Sequence, residues 1–149
     1  MSHGLNVIIL DDDPDVCMTL KEIVESFYTW GDVFSFTDPD EATDFCRSEE
    51  AGVAIFILDV FLGDRMGFVF LDAITDKFPA AYEDTIVISG EASKEVVDVC
   101  VASEITYLLE KPVRPYALQM AVRAIVAKYI KFAKKILDDP ILAAAIGKM

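Results

Sequence analysis

Five short apolar runs alternate with helix-forming stretches along this chain, and no other feature restricts the fold as much. The runs are Leu5 to Leu10, Asp32 to Phe36, Val53 to Leu58, Thr85 to Ile88 and Ile105 to Leu109. A run such as "VAIFIL" offers no polar position to solvent, as a strand covered on both faces requires, and the long connections between runs suit parallel crossovers. Those connections carry helix starts. Asp13 before Pro14, Asp38 before Pro39 and Ser93 before Lys94 each put a capping side chain one residue ahead of a helix. Gly67 to Phe78 repeats Phe68, Leu71 and Ile74 at helical spacing. The expected architecture is α/β, a doubly wound five-stranded parallel sheet of (βα)5 type filling residues 5–128.

The last stretch departs from this rhythm. From Leu118, the apolar residues Val122, Ile125, Tyr129, Phe132 and Ile136 follow at alternating steps of four and three, a heptad-like stripe. A helix from Tyr116 to Leu137 would extend about 33 Å, more than one face of a five-stranded sheet needs. The expectation is a domain over 5–128 and a C-terminal helical extension over 129–149, in which Asp139 and Pro140 start a second, short helix through Ile146. The stripe offers a seam for a homodimer.

With 149 residues, 54% of them hydrophobic and 26% charged, the chain can bury one sizeable core. Its net charge of -13 is unevenly spread: residues 1–110 hold 5 basic against 24 acidic side chains, residues 111–149 hold 8 against 2. An acidic body argues against nucleic acid as a partner, because phosphate contacts dominate such affinity, and leaves only the tail lysines Lys128, Lys131, Lys134 and Lys135 for that role. Cys17, Cys46 and Cys100 lack both even count and C-x-x-C spacing, so they are expected to be buried thiols. The lone His3 lies in the polar start "MSHGLN" and is given no role. The longest apolar run, "GVAIFILDVFLG", is broken by Asp59 and too short to span a bilayer, and no basic-then-apolar leader precedes it. A cytoplasmic protein without membrane partners is expected.

The first strand runs straight into "DDDPD", where Asp11, Asp12, Asp13 and Asp15 would repel one another unless a cation sat among them. Three metal chemistries compete for the cluster. A calcium loop counted from Asp11 puts Asp13, Asp15 and Glu22 at ligand positions, but Val16 stands where the sharp turn demands glycine. A Mg2+-dependent phosphatase of the haloacid dehalogenase type would use Asp11 as nucleophile and Asp13 as acid, with Ser89 and Lys111 on the phosphoryl group. It lacks a later acidic pair at a strand end and leaves Asp59 without a task. The third reading uses every unusual polar residue at a strand end: Asp11 and Asp12, Asp59, Ser89, and Lys111. Ligands gather at the carboxyl ends of an open parallel sheet, so these five can converge, with carboxylates for Mg2+ and a hydroxyl and an ammonium for phosphoryl oxygens.

Here the chain resembles the receiver domain of two-component response regulators. The resemblance rests on "IILDDDP", "FILDVFLGDRMG", "IVISGEAS" and "LLEKPV", in family order over residues 5–128. It implies a flavodoxin-like fold and a phosphoprotein of two-component signal transduction, not an enzyme acting on outside substrates. Asp59 would be the phosphoacceptor. Asp11, Asp12, Asp59 and the backbone carbonyl of Phe61 would hold Mg2+. Ser89 would be the switch hydroxyl and Lys111 the partner of Asp59 and then of phosphate, with a cis Lys111-Pro112 bond. The implied partners are a histidine kinase or histidine phosphotransfer protein and a downstream effector protein. No output domain is legible after the receiver, so a single-domain regulator signalling by a changed surface is expected, with a phosphorelay shuttle as the alternative.

Several residues depart from the family pattern. Gly63 stands where proline is common and Met66 where an acidic residue is usual, which suggests a more mobile loop after Asp59. Leu108 holds the usual place of an aromatic switch residue, with Tyr107 one residue earlier. Either Leu108 faces the switch surface or an irregularity brings Tyr107 there. Phe61 and Glu91 occupy positions that tune phosphoryl lifetime in the family, and the bulk of Phe61 would hinder water.

Overall fold

A computed structural model describes residues 4–63, 65–90, 93–141 and 144. His3, Glu91 and the expected end of the short terminal helix at Ile146 lie outside the described residues. The chain runs β1 (Val7–Leu10), α1 (Pro14–Glu25), β2 (Val33–Phe36), α2 (Pro39–Ser48) and β3 (Ile55–Asp59). A short hairpin, β4 (Phe61–Leu62) and β5 (Arg65–Met66), precedes α3 (Gly67–Ile74). Then come β6 (Thr85–Ser89), α4 (Lys94–Ala102), β7 (Tyr107–Glu110) and α5 (Pro115–Asp138).

The five main strands form one parallel sheet in the order β2-β1-β3-β6-β7. Side chains alternate across it with period two. Val7, Ile9, Ile55, Ile57, Ile86 and Ile88 pack toward α1 and α5, while Ile8, Leu10, Phe56, Leu58 and Val87 pack toward α2, α3 and α4. Both sets are buried, which is why these runs read as continuously apolar. Each such side chain contributes about 1.5–3 kcal/mol on burial. The order is that of the flavodoxin-like doubly wound fold, whose topological switch falls between β1 and β3.

The helix starts read from sequence are those observed. Asp13 accepts from the Asp15 amide at 2.9 Å, Asp38 from the Asp40 amide at 3.0 Å, and Ser93 from the Val96 amide at 3.3 Å. Two boundaries differ. Helix α3 stops at Ile74 instead of Phe78, although Phe78 stays buried because its amide still bonds to the Ile74 carbonyl through the following turn. The hairpin β4–β5 is additional to the five expected strands, since two-residue strands leave no periodic trace in the sequence.

Helix α5 has 24 residues and extends about 36 Å. Of the heptad-like stripe, Leu118, Val122 and Ile125 are buried in the chain's own core and Tyr129 packs against it. Phe132 is exposed beyond it. A clasp marks the point of departure: the buried carboxylate of Asp84, just ahead of β6, accepts from the Tyr129 hydroxyl and the Lys128 ammonium. At the far end Asp139 caps a new turn at Pro140 by accepting from the Ile141 amide at 3.1 Å. Cys17, Cys46 and Cys100 are buried free thiols, as expected.

Candidate functional site

Parallel register brings the predicted residues to one edge of the sheet. Leu10 pairs with Leu58, Asp59 with Ile88, and Ser89 with Glu110, so Asp11, Asp59, Ser89 and Lys111 all stand at or just past the carboxyl ends of adjacent strands. Lys111 leaves β7 with its amide bonded to the Ser89 carbonyl at 2.7 Å, and the Lys111-Pro112 bond is cis.

The charges interlock around Lys111. Its ammonium donates to Asp59 Oδ2 at 2.6 Å and lies 2.9 Å from Asp11 Oδ2. Burial alone would lower the Lys111 pKa, but the hydrogen bonds to Asp59 and Asp11 outweigh it and hold the ammonium above its ordinary value. Asp11 is 1% exposed, and its carboxyl is raised above the ordinary carboxylate range, chiefly by burial. Its Oδ1 accepts from the Asp13 amide at 2.9 Å. Its buried Oδ2 takes part in the ion pair with the Lys111 ammonium. That buried oxygen retains acceptor capacity for a cation.

Carboxylate oxygens of Asp11, Asp12 and Asp59 lie within 4.8 Å of one another. The set is all oxygen, combining buried and exposed carboxylates, and suits a hard divalent cation with part of its water retained. The convergence of three hard carboxylate donors on one point is the observation that fits a metal here. Asp12 is exposed and accepts from the Gly63 amide at 3.1 Å through Oδ2. Asp59, 9% exposed, accepts from the Phe61 amide at 3.1 Å through Oδ1. Beside Asp59 an open cleft is lined by Phe61, Ser89, Ser93 and Lys111. Ser89 is 2% exposed at its floor.

The structure separates the two switch candidates. Strand β7 is regular, with Leu108 packed on the α4 side of the sheet and Tyr107 on the α1 and α5 side. No irregularity carries Tyr107 to the face of Leu108. The loop after Asp59 forms the hairpin β4–β5, in which Phe61 pairs with Met66. The Phe61 ring is 56% exposed at the cleft mouth.

Three residues contribute to this geometry in ways that the sequence alone does not specify. Gly67 packs so tightly on β3 that a Cβ there would run into the Asp59 carbonyl, and its amide bonds to Val60 O at 2.7 Å. Cys17 donates from Sγ to the carbonyls of Asp11 at 3.2 Å and Phe36 at 3.3 Å, tying α1 to two strand ends. The Gly63 amide holds Asp12. Of these only the glycines in "FLGDRMG" leave a mark in the sequence, through the missing side chain.

Two alternatives fail on this geometry. The calcium loop needs a helix before Asp11 and finds β1. The phosphatase reading needs Asp11 as an accessible nucleophile and finds it buried, while Asp138 ends a helix and not a strand. Among the described residues no helix is long and apolar enough to cross a membrane.

Comparison with known proteins agrees with the architecture. The chain is 30% identical over 138 residues to the transcriptional regulatory protein CitT of Halalkalibacterium halodurans, a match over 91% of this chain and 58% of that protein, so the chain spans somewhat over half the length of this relative. In three dimensions it superposes on the chemotaxis protein CheY4 of Vibrio cholerae with a TM-score of 0.69 at 20% identity, covering 83% of this chain and 99% of CheY4. A response regulator receiver domain protein from Clostridium thermocellum gives a TM-score of 0.73 at 16% identity, covering 86% of this chain and 98% of that one. The model of the response regulator receiver domain matches residues 7–123, and with the strand-end acidic site on the same fold, the chain belongs to the response regulator receiver domain family.

Proposed function

We propose that this chain is a phosphoacceptor signalling protein that takes a phosphoryl group from a histidine kinase or histidine phosphotransfer protein onto Asp59. The observation that carries this reading is the position of Asp59. It stands at the end of β3 in an open cleft, 2.6 Å from the Lys111 ammonium and within 4.8 Å of two further carboxylates. Receiver domains as a family are phosphoacceptor modules of this kind, so the chain's chemistry is its own phosphorylation and dephosphorylation.

In the proposed step a carboxylate oxygen of Asp59 attacks phosphorus as the bond from phosphorus to the donor's imidazole nitrogen breaks. The electron pair stays with that nitrogen, and the product is an acyl phosphate. Nucleophile and target are both anionic, so approach requires positive charge. Lys111 supplies one such charge, shifting from Asp59 to the new phosphoryl oxygens. Asp11, Asp12, Asp59 and the Phe61 carbonyl would hold Mg2+, which supplies the rest of the neutralisation when bound. Ser89, at the cleft floor, is the hydroxyl that closes on the phosphoryl group. Three added acceptor oxygens and a charge of about -1.5 to -2 give it reason to move.

The output surface is placed around the edge strand β7. Leu108 packs against the core cluster that includes Val96 and Cys100 of α4, and α4 exposes Val97 and Val101 while α5 exposes Tyr116 and Met120. Leu108, not Tyr107, is therefore assigned to the switch path toward an effector protein. Glu91 keeps the role of tuning phosphoryl lifetime with Phe61. Residues 5–128 form the acceptor domain and 129–149 its helical extension, which adds a weak homodimer contact, and the protein acts in the cytoplasm.

The test is intact-mass measurement after incubation with a small phosphodonor and Mg2+. One added phosphoryl group is expected, absent from Asp59→Asn. Addition that persists in Asp59→Asn but disappears in Asp11→Asn would restore the phosphatase reading.

A further inference from the structure

Two carboxylates of the acidic site are held by one short stretch of backbone. Phe61 donates its amide to Asp59 Oδ1 and Gly63 donates its amide to Asp12 Oδ2, each at 3.1 Å. Residues 61 and 63 are two apart, so in extended chain their amides point the same way. The hairpin pairing of β4 with β5 leaves that edge turned toward the site.

Gly63 meets two demands that the proline common at this place cannot meet. Its φ is +65°, in the left-handed region that tight hairpin connections require of their first residue, whereas proline fixes φ near −65°. It also carries the N–H that Asp12 uses. Space is not the constraint, because a Cβ on Gly63 would meet no atom within 4 Å. Asp12 needs the help: it is exposed on the loop after β1, where an unheld carboxylate samples several rotamers and ordering it opposes metal binding.

We infer that Gly63 is a positioning residue for the metal site, its amide fixing one oxygen of Asp12 so that the other faces the space shared with Asp11 and Asp59. The inference rests on the metal reading given above and adds to it a source of preorganisation specific to this hairpin. Hydrogen bonds that orient a ligand of this kind change metal affinity by about 10-fold or more when lost.

The experiment is Mg2+ titration of the full chain by calorimetry, with Gly63→Pro, Gly63→Asn and Asp12→Asn alongside. Gly63→Pro removes the N–H and the conformation and is expected to weaken Mg2+ binding about 10-fold. Asparagine visits the left-handed region and keeps the N–H, so Gly63→Asn is expected to stay within about twofold of the parent. The Gly63 amide proton should also move upfield in Asp12→Asn, a signature independent of metal. A folded Gly63→Pro with parental Mg2+ affinity overturns the inference, as does a loss in Gly63→Asn equal to that in Gly63→Pro. A parent chain that binds no Mg2+, or binds it equally well as Asp12→Asn, overturns the metal reading and this inference with it.

Discussion

At the scale of single residues, the proposed phosphoacceptor role makes the cleft mouth the place to test for control of phosphoryl lifetime. Phe61 exposes 56% of its surface beside Asp59, while its amide stays bonded to the acceptor carboxylate. If Asp59 carries an acyl phosphate as proposed, a ring there would obstruct the in-line path of water, while the backbone contact would survive truncation of the side chain. Phe61→Ala should shorten the phosphoryl half-life several-fold while leaving phosphorylation at Asp59 intact. A half-life unchanged by Phe61→Ala removes the shielding role. The residues on which this depends were readable in the sequence because an open parallel sheet aligns the ends of its strands. Asp12, Asp59, Ser89 and Lys111 each interrupt or follow an apolar run, so wide separation along the chain did not hide them. The Gly63 amide was not readable, since a backbone donor is common to nearly every residue and only its geometry makes it special.

At the scale of elements, the apolar periodicity of α5 reported that one face is buried but not against what. The stripe from Leu118 to Ile136 reads equally as a dimer seam or as a core face, and the structure assigns it as far as Tyr129 to the chain's own sheet. The Asp84 clasp ties the helix to the start of β6 at that point. Asp84 is 1% exposed, and its carboxylate is compensated by Tyr129 and Lys128, so removing it leaves the half-buried Tyr129 hydroxyl without this acceptor. Asp84→Ala should cost about 1–3 kcal/mol, read from the urea midpoint. Tyr129→Phe, which loses one hydrogen bond and keeps the ring, should cost about 1 kcal/mol.

The clasp also has a pH signature. The Tyr129 phenol is raised above its ordinary value first by burial and then by its bond to Asp84, with Glu83 adding negative charge and Lys128 standing beside it. A raised folded-state value on a group that ionises to an anion means stability is fully present below about pH 10, the ordinary tyrosine value, and is lost as pH rises beyond it. Tyr28 and Tyr82 are raised as well and contribute in the same direction. Tyr129→Phe should therefore reduce, without abolishing, the fall in stability above pH 10. An identical alkaline slope in parent and variant would show that the phenol carries no such linkage.

At the scale of the whole molecule, the uneven charge and the overlong helix bear on the same question. Past Ile130, α5 leaves the core and exposes Phe132 and Leu137, while Lys131, Lys134 and Lys135 stud the same two turns. Apolar side chains there favour pairing with a second copy. Two opposing effects limit it: the exposed stretch is short, so little area is available compared with the roughly 800 Å² per partner of a stable interface, and each chain carries a net charge of -13. Self-association through the extension should accordingly be weak, detectable by sedimentation only at high protein concentration, and stronger in 0.5 M than in 0.05 M salt, where the Debye length falls several-fold. Removal of residues 130–149 leaves Tyr129 to engage Asp84, so the shortened chain should keep the receiver fold and sediment as a monomer at every concentration and salt level. The same monomer with and without residues 130–149, at high concentration and high salt, rules out pairing through the extension.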